Sequence, residues 1–115
     1  MADTIFSKII RKEIPAKVVY ESKDVLAFRD VNPQAPVHIL IIPKMEIKDI
    51  TEINPSEHAK LLSEMIEAAN KLAVSEKIDK SGFRLVINTG KDGGQTVDYL
   101  HIHLIGGRPM KWPPG

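Results

Sequence analysis

The chain has 115 residues, a formal net charge of +1 and no cysteine. One domain over residues 1–115 is the expected division, disulfides and cysteine-ligated zinc are excluded, and no broad basic field advertises a nucleic-acid partner. Apolar residues at 43% and charged residues at 27% are ordinary for a globular chain, and no apolar run approaches the length of a membrane span.

The start, Met1 to Arg11, carries Asp3, Lys8 and Arg11 among apolar residues. That is not the layout of a secretory signal, so the default address is cytoplasmic, with nuclear entry open to so small a chain. Thr4 to Lys12 reads as a short helix with Ile5, Phe6, Ile9 and Ile10 on one face, and Pro15 stops it. Lys17 to Tyr20 and Asp24 to Arg29 read as two strands joined by a turn at Glu21, Ser22 and Lys23.

Asp30 to Pro36 is a loop, since it holds Asp30, Asn32, Pro33 and Pro36. Val37 to Ile42 is an apolar run broken only by His38 and ended by Pro43, which reads as a buried strand. Glu46 to Ile50 suits a short helical turn. Asn54-Pro55-Ser56-Glu57 is a strong helix start: Asn54 caps, Pro55 fits the first helical position and Glu57 completes a capping box.

The helix should run to about Val74 or beyond. Its apolar stripe is Leu61, Leu62, Met65, Ile66, Ala69, Leu72 and Ala73. Phe83 to Asn88 and Tyr99 to Ile105 are the last two strands, with a glycine-rich loop, Thr89 to Gln95, ahead of the second. The expected class is α+β: about five strands in a mainly antiparallel sheet, one long helix and short helical pieces. The proline-rich tail carries the sole tryptophan, Trp112, for which docking is expected, including across a dimer.

Two of the four histidines stand in His101-Ile102-His103. Residues two apart on a strand share a face, roughly 6.5–7 Å apart along the chain. Tyr99, His101 and His103 therefore face one way and Leu100, Ile102 and Leu104 pack into the core. His38, a polar residue on a buried strand, needs a partner, and the His101/His103 face is the economical one. His58 sits between Glu57 and Lys60 and reads as a solvated surface residue. The loop Gly90-Lys91-Asp92-Gly93-Gly94-Gln95-Thr96 can bring backbone amides and a hydroxyl to an anion beside these imidazoles.

The runs Gly93-Gly94-Gln95-Thr96-Val97, His101-Ile102-His103-Leu104-Ile105-Gly106-Gly107-Arg108 and Trp112-Pro113-Pro114-Gly115 resemble the HINT branch of the histidine-triad family. Asp3-Thr4-Ile5-Phe6, Phe28-Arg29-Asp30, Asn32-Pro33-Gln34-Ala35-Pro36 with His38, and Ile42-Pro43-Lys44 extend the resemblance over nearly the whole chain. The resemblance implies a homodimer that hydrolyses purine nucleoside 5′-phosphoramidates, with a purine nucleoside monophosphate as ligand and no cofactor or metal needed for turnover. It implies His101 as nucleophile, Asp30 on the ribose hydroxyls, and Asn88 and Thr96 at the phosphate or leaving group. Gly94 and Gln95 belong to the same nucleotide site, His38 and His103 support the phosphate, and Ile5, Phe6, Ile14 and Phe28 help form the base pocket.

Tyr99 departs from the pattern, because the family motif has a histidine there. A second reading follows: a nucleotide-binding regulatory or scaffold protein with weak turnover. A third is a metal protein using His101, His103 and His38, which is legitimate ligand geometry although no nearby carboxylate or cysteine in the sequence reinforces it.

Overall fold

The computed structural model describes residues 3–115; Met1 and Ala2, which open the segment read against a secretory signal, lie outside the described residues. Five strands form a single antiparallel sheet: β1 (Val18–Glu21), β2 (Val25–Arg29), β3 (Val37–Pro43), β4 (Phe83–Val86) and β5 (Ile102–Gly106), in the order β1-β2-β3-β5-β4. Helix α1 (Ile5–Ile10) precedes the sheet and α2 (Pro55–Ser75) lies between β3 and β4. The expected α+β class and mainly antiparallel sheet are what is observed.

Each strand face buries a different layer. Val25, Ala27, Ile39, Ile41, Ile102 and Leu104 pack with Met65, Ala68, Ala69 and Leu72 of α2. Leu26, Phe28, Leu40 and Ile42 point the other way and pack with Phe6 of α1 and with Tyr99. With both faces covered, β3 is buried at every position, which is why its sequence is a continuous apolar run rather than an alternating one. No helix among the described residues is long and apolar enough to cross a membrane.

Local chemistry explains the element ends. Thr4 and Ser7 cap α1 reciprocally, the Ser7 amide donating to Thr4 Oγ1 (3.2 Å) and the Thr4 amide to Ser7 Oγ (3.3 Å). The helix stops before the expected Lys12, which turns left-handed with φ 61°. Asn54 caps α2 as expected, its Oδ1 accepting from the Ser56 amide at 2.9 Å. The reciprocal bond, however, goes to His58 rather than Glu57: the Asn54 amide donates to His58 Nδ1 at 2.8 Å. His58 is thus a half-buried capping group, not a freely solvated residue. On α2, Ala68 joins the buried stripe while Ile66 stays 42% exposed.

Other boundaries also differ from expectation. The helical turn falls at Ile50–Glu52 instead of Glu46 to Ile50, because Asp49 caps it through the Thr51 amide. β4 ends at Val86, its last partner being His103 of β5, so Asn88 lies beyond the ladder. β5 begins at Ile102, not Tyr99, because the preceding residues bond elsewhere: the Tyr99 amide to the Val97 carbonyl (2.8 Å) and the Leu100 amide to the Ile47 carbonyl (2.7 Å). His101 is therefore held at the mouth of β5 rather than within it. Trp112 is 83% exposed and docks on nothing among the described residues.

Candidate active site

The register of β3 and β5 builds the site. Leu40 pairs with His103, and His38, two residues earlier on β3, shares Leu40's face. Both imidazoles thus emerge on the side of the sheet opposite α2. His101 joins them from the bend before β5, its ring centroid 4.8 Å from that of His103 and 5.1 Å from that of Phe6, edge-on to the latter. The three histidines singled out in the sequence are together on one side of the sheet.

Hydrogen bonds fix their chemistry. His101 Nδ1 lies 2.7 Å from the Tyr99 carbonyl, an acceptor only, so Nδ1 carries the proton and Nε2 keeps its lone pair. His103 Nδ1 lies 2.9 Å from His38 Nε2. His103 Nε2 is buried without a partner, the one such side-chain polar atom among the described residues. Asp30 Oδ1 accepts from the Asn32 amide at 2.8 Å, and its Oδ2 stands 3.4 Å from His38 Nε2. Asp30 is thus both a turn-capping residue and a wall of the site.

Burial governs the titrations. It lowers the pKa of His101, a shift that the Tyr99 carbonyl and the Asp30 charge oppose. It lowers His38 as well, again against Asp30. His103 is pushed down to about 4, by burial first and then by repulsion from His101 and His38. All three rings are therefore neutral at neutral pH.

The unfolded chain takes up protons on these rings near the ordinary histidine value of 6.5, whereas folded His103 waits until about 4. Between those values the unfolded state binds more protons, so stability falls as pH drops through that window and is insensitive to these rings above it. Thermal melts at about pH 7 and about pH 5 should show the lower midpoint at the acid value; equal midpoints would contradict the buried neutral cluster.

A cavity of about 370 Å³ opens before His101 and His103, within the usual range of small-molecule sites. Ile5, Phe6, Ile14 and Phe28 line its apolar side, and Asp30 and Thr96 lie on its wall with the two histidines. Ile9, Pro15, Leu40 and Val97 also line it and were not anticipated, though Leu40 could have been found from its register opposite His103. His38 lies behind His103 and faces a wider adjoining depression of about 660 Å³. That depression is larger but does not reach His101, so the smaller cavity is the one placed for chemistry.

Three amides of the glycine loop are engaged within it. The Gly90 amide donates to Gln95 Oε1 (3.0 Å), the Gly94 amide to the Lys91 carbonyl (3.1 Å) and the Gln95 amide to the Gly90 carbonyl (3.0 Å). These donors are consumed inside the loop and do not form an anion cradle. A Cβ on Gly93 would come within 2.3 Å of the Thr89 carbonyl oxygen, so tight closure is what requires glycine there. Gln95 clasps the loop to its surroundings, its Nε2 donating to the carbonyls of Lys48 (2.8 Å) and Val97 (3.1 Å). Gly94, Gln95 and Asn88 are absent from the cavity wall; Thr96 is the loop residue delivered to it.

Tyr99 is fully buried, and its hydroxyl faces the carbonyls of Pro43 (2.6 Å) and Met45 (3.2 Å). Burial raises its pKa well above the ordinary tyrosine value, so it remains a neutral donor. The departure from a histidine at this position alters a packing residue and leaves the carbonyl that orients His101 in place.

Asp30, His38 and His103 have potential metal-ligating atoms within 4.8 Å of one another, with Asp30 taking the place expected for His101. The donors do not fit a metal as they stand. His38 Nδ1 accepts from the Gln34 amide at 3.0 Å, which leaves the proton of the neutral ring on Nε2, the nitrogen that would have to ligate.

A HIT domain model matches residues 11–110. A purine nucleoside phosphoramidase of Escherichia coli is 51% identical over 108 residues, covering 94% of this chain and 90% of that protein. A 14 kDa zinc-binding protein of Brassica juncea is 53% identical over 115 residues, covering 98% of this chain and 100% of that one. The crystal structure of a HIT family hydrolase from Legionella pneumophila superposes with a TM-score of 0.95 at 50% identity, covering 98% of this chain and 100% of its own. On the domain match and on relatives at half identity or more across nearly its full length, the chain belongs to the HIT domain family.

Proposed function

We propose that the chain hydrolyses the P–N bond of purine nucleoside 5′-phosphoramidates through a covalent nucleotidyl-histidine at His101. The observation that carries this reading is the Tyr99 carbonyl at His101 Nδ1, which frees Nε2 as a nucleophile on the wall of a nucleotide-sized cavity. The phosphoramidase name of the Escherichia coli relative supports it.

In the first step Nε2 attacks phosphorus, an N–P bond forms to His101, and the P–N bond to the amine breaks. The departing amine takes a proton from solvent, relayed by Thr96 on the cavity wall, and the water consumed in the next step gives one back. Water then attacks the nucleotidyl-histidine, releasing the nucleoside monophosphate and restoring the neutral ring, so that one difficult step becomes two easier ones. His103 Nε2 supplies an unpartnered donor for a non-bridging oxygen. Asp30 takes the ribose hydroxyls, and Ile5, Phe6, Ile14 and Phe28 enclose the base. The Gly90, Gly94 and Gln95 amides, already bonded within the loop, and Asn88, off the cavity wall, are given no step.

The test is release of AMP from an AMP–alkylamine phosphoramidate by purified protein, in the presence and absence of a chelator. Turnover indifferent to the chelator is expected. Tight AMP binding with no release would favour the scaffold reading, and release abolished by chelation would favour the metal reading. The same proposal includes a homodimer located in the cytoplasm. A second copy would give exposed Trp112 a surface to dock on, and sedimentation at the mass of one chain would remove that part.

A further inference from the structure

Two adjacent imidazoles of this site must hold opposite tautomers to do different work, and the structure shows a separate backbone group fixing each. The carbonyl of Tyr99 accounts for His101. The group that accounts for His103 lies one ring further away.

We propose that the backbone amide of Gln34 sets the tautomer of His38 and, through it, that of His103, making the Asp30-to-Pro36 loop a positioning element for the anion donor at His103 Nε2. The Gln34 amide is a donor only and stands 3.0 Å from His38 Nδ1. A proton on Nδ1 would set two N–H groups against each other, so the neutral His38 ring carries its proton on Nε2. Two acceptors face that proton: His103 Nδ1 at 2.9 Å and Asp30 Oδ2 at 3.4 Å. The nearer takes it.

His103 Nδ1 is then an acceptor, so the His103 proton sits on Nε2, the buried atom that lacks a partner. The reverse arrangement, with His103 donating to His38, would make His38 Nε2 an acceptor and return the forbidden proton to Nδ1. The chain of bonds therefore has one consistent solution, read from Gln34 inward. Burial keeps both rings neutral, without which the tautomer would be meaningless.

The loop is built to hold that amide still. The Asp30 amide donates to the His38 carbonyl (3.0 Å) and closes the loop. The Asn32 amide bonds to Asp30, and Gln34 Nε2 donates to the Asn32 carbonyl (3.0 Å). Arg108 Nε donates to the Gln34 carbonyl at 3.0 Å. A Cβ on Gly107 would meet the Pro36 ring at 2.9 Å, so the far end of the loop is packed as closely as atoms allow.

The ring protons test this directly. A long-range proton–nitrogen correlation spectrum at neutral pH should show His38 and His103 as Nε2–H tautomers and His101 as Nδ1–H. Finding Nδ1–H on His38 or His103 of the unaltered protein would overturn the proposal without any variant. Gln34→Pro removes the amide proton from a loop already bounded by prolines; Gln34→Ala keeps it and removes only the side chain. Gln34→Ala should retain the ring signals of the parent. Gln34→Pro should scramble those of His38 and His103 and leave His101 unchanged, with folding checked in the same sample by the backbone spectrum.

The consequence for turnover rests on the phosphoramidase reading. Gln34→Pro should lower kcat by about tenfold, the worth of one hydrogen bond, with AMP affinity little changed. Scrambled ring signals with unchanged turnover would leave the tautomer chain intact and sink its link to that reaction; parent-like signals in Gln34→Pro would sink the chain itself.

Discussion

His101→Ala, and equally His101→Gly, should bind AMP and fail to release it from a phosphoramidate, with kcat reduced by about 10⁴-fold or more, as when a covalent nucleophile is deleted elsewhere. The size of the effect follows from the geometry. His101 presents the cavity with a neutral nitrogen whose lone pair is aimed by the Tyr99 carbonyl. Neither neighbour is so disposed: His103 Nδ1 is engaged by His38, and His38 lies behind it. Deleting the ring leaves the apolar wall, Asp30 and Thr96 intact, so nucleotide affinity should survive. Equilibrium binding of AMP and single-turnover formation of the covalent adduct separate the two effects. Adduct formed at the parent rate by His101→Ala would remove His101 from its role and leave the cavity with a different chemistry.

The parts of this site that were legible in the sequence are those with a local cost attached. His38 stood out because a polar residue in an apolar run must find a partner, and it found His103. Asn54-Pro55 announced the start of α2 because capping is a matter of a few adjacent residues. The start of β5 was not legible: the bend at Tyr99 to His101 is imposed by the Ile47 carbonyl and by the carbonyls of Pro43 and Met45, all far away in sequence.

The bonding inside the glycine loop was not legible for a related reason. Its glycines show that amides come close to something, but not what claims them, and for Gly90, Gly94 and Gln95 the claimants are the loop's own carbonyls and the Gln95 side chain. The apolar cavity wall came from family resemblance alone, since Ile5, Phe6, Ile14 and Phe28 share no periodicity. The Gln34 amide could not have been found from residue type, because every residue but proline carries one.

Tyr99→Ala should cost about 3–5 kcal/mol of stability, the range for truncating a fully buried aromatic, and should impair turnover along with it. Its ring is 0% exposed and sits in the layer formed by Phe6, Leu26, Phe28, Leu40 and Ile42. Its hydroxyl ties the bend before β5 to the chain leaving β3. A cavity there would loosen the segment that carries both the Tyr99 carbonyl and His101.

Tyr99→Phe separates packing from chemistry. It keeps the ring and the carbonyl and loses only the hydroxyl, which should cost about 1–2 kcal/mol for the donor taken from the Pro43 and Met45 carbonyls. Chemical denaturation should therefore rank parent, Tyr99→Phe and Tyr99→Ala in falling order, while Tyr99→Phe keeps most of its turnover. Collapse of turnover in a well-folded Tyr99→Phe protein would show that the phenol itself takes part. The backbone carbonyl at 99 would then be insufficient to orient His101, and the substitution of tyrosine for histidine would matter chemically rather than as a change of core residue.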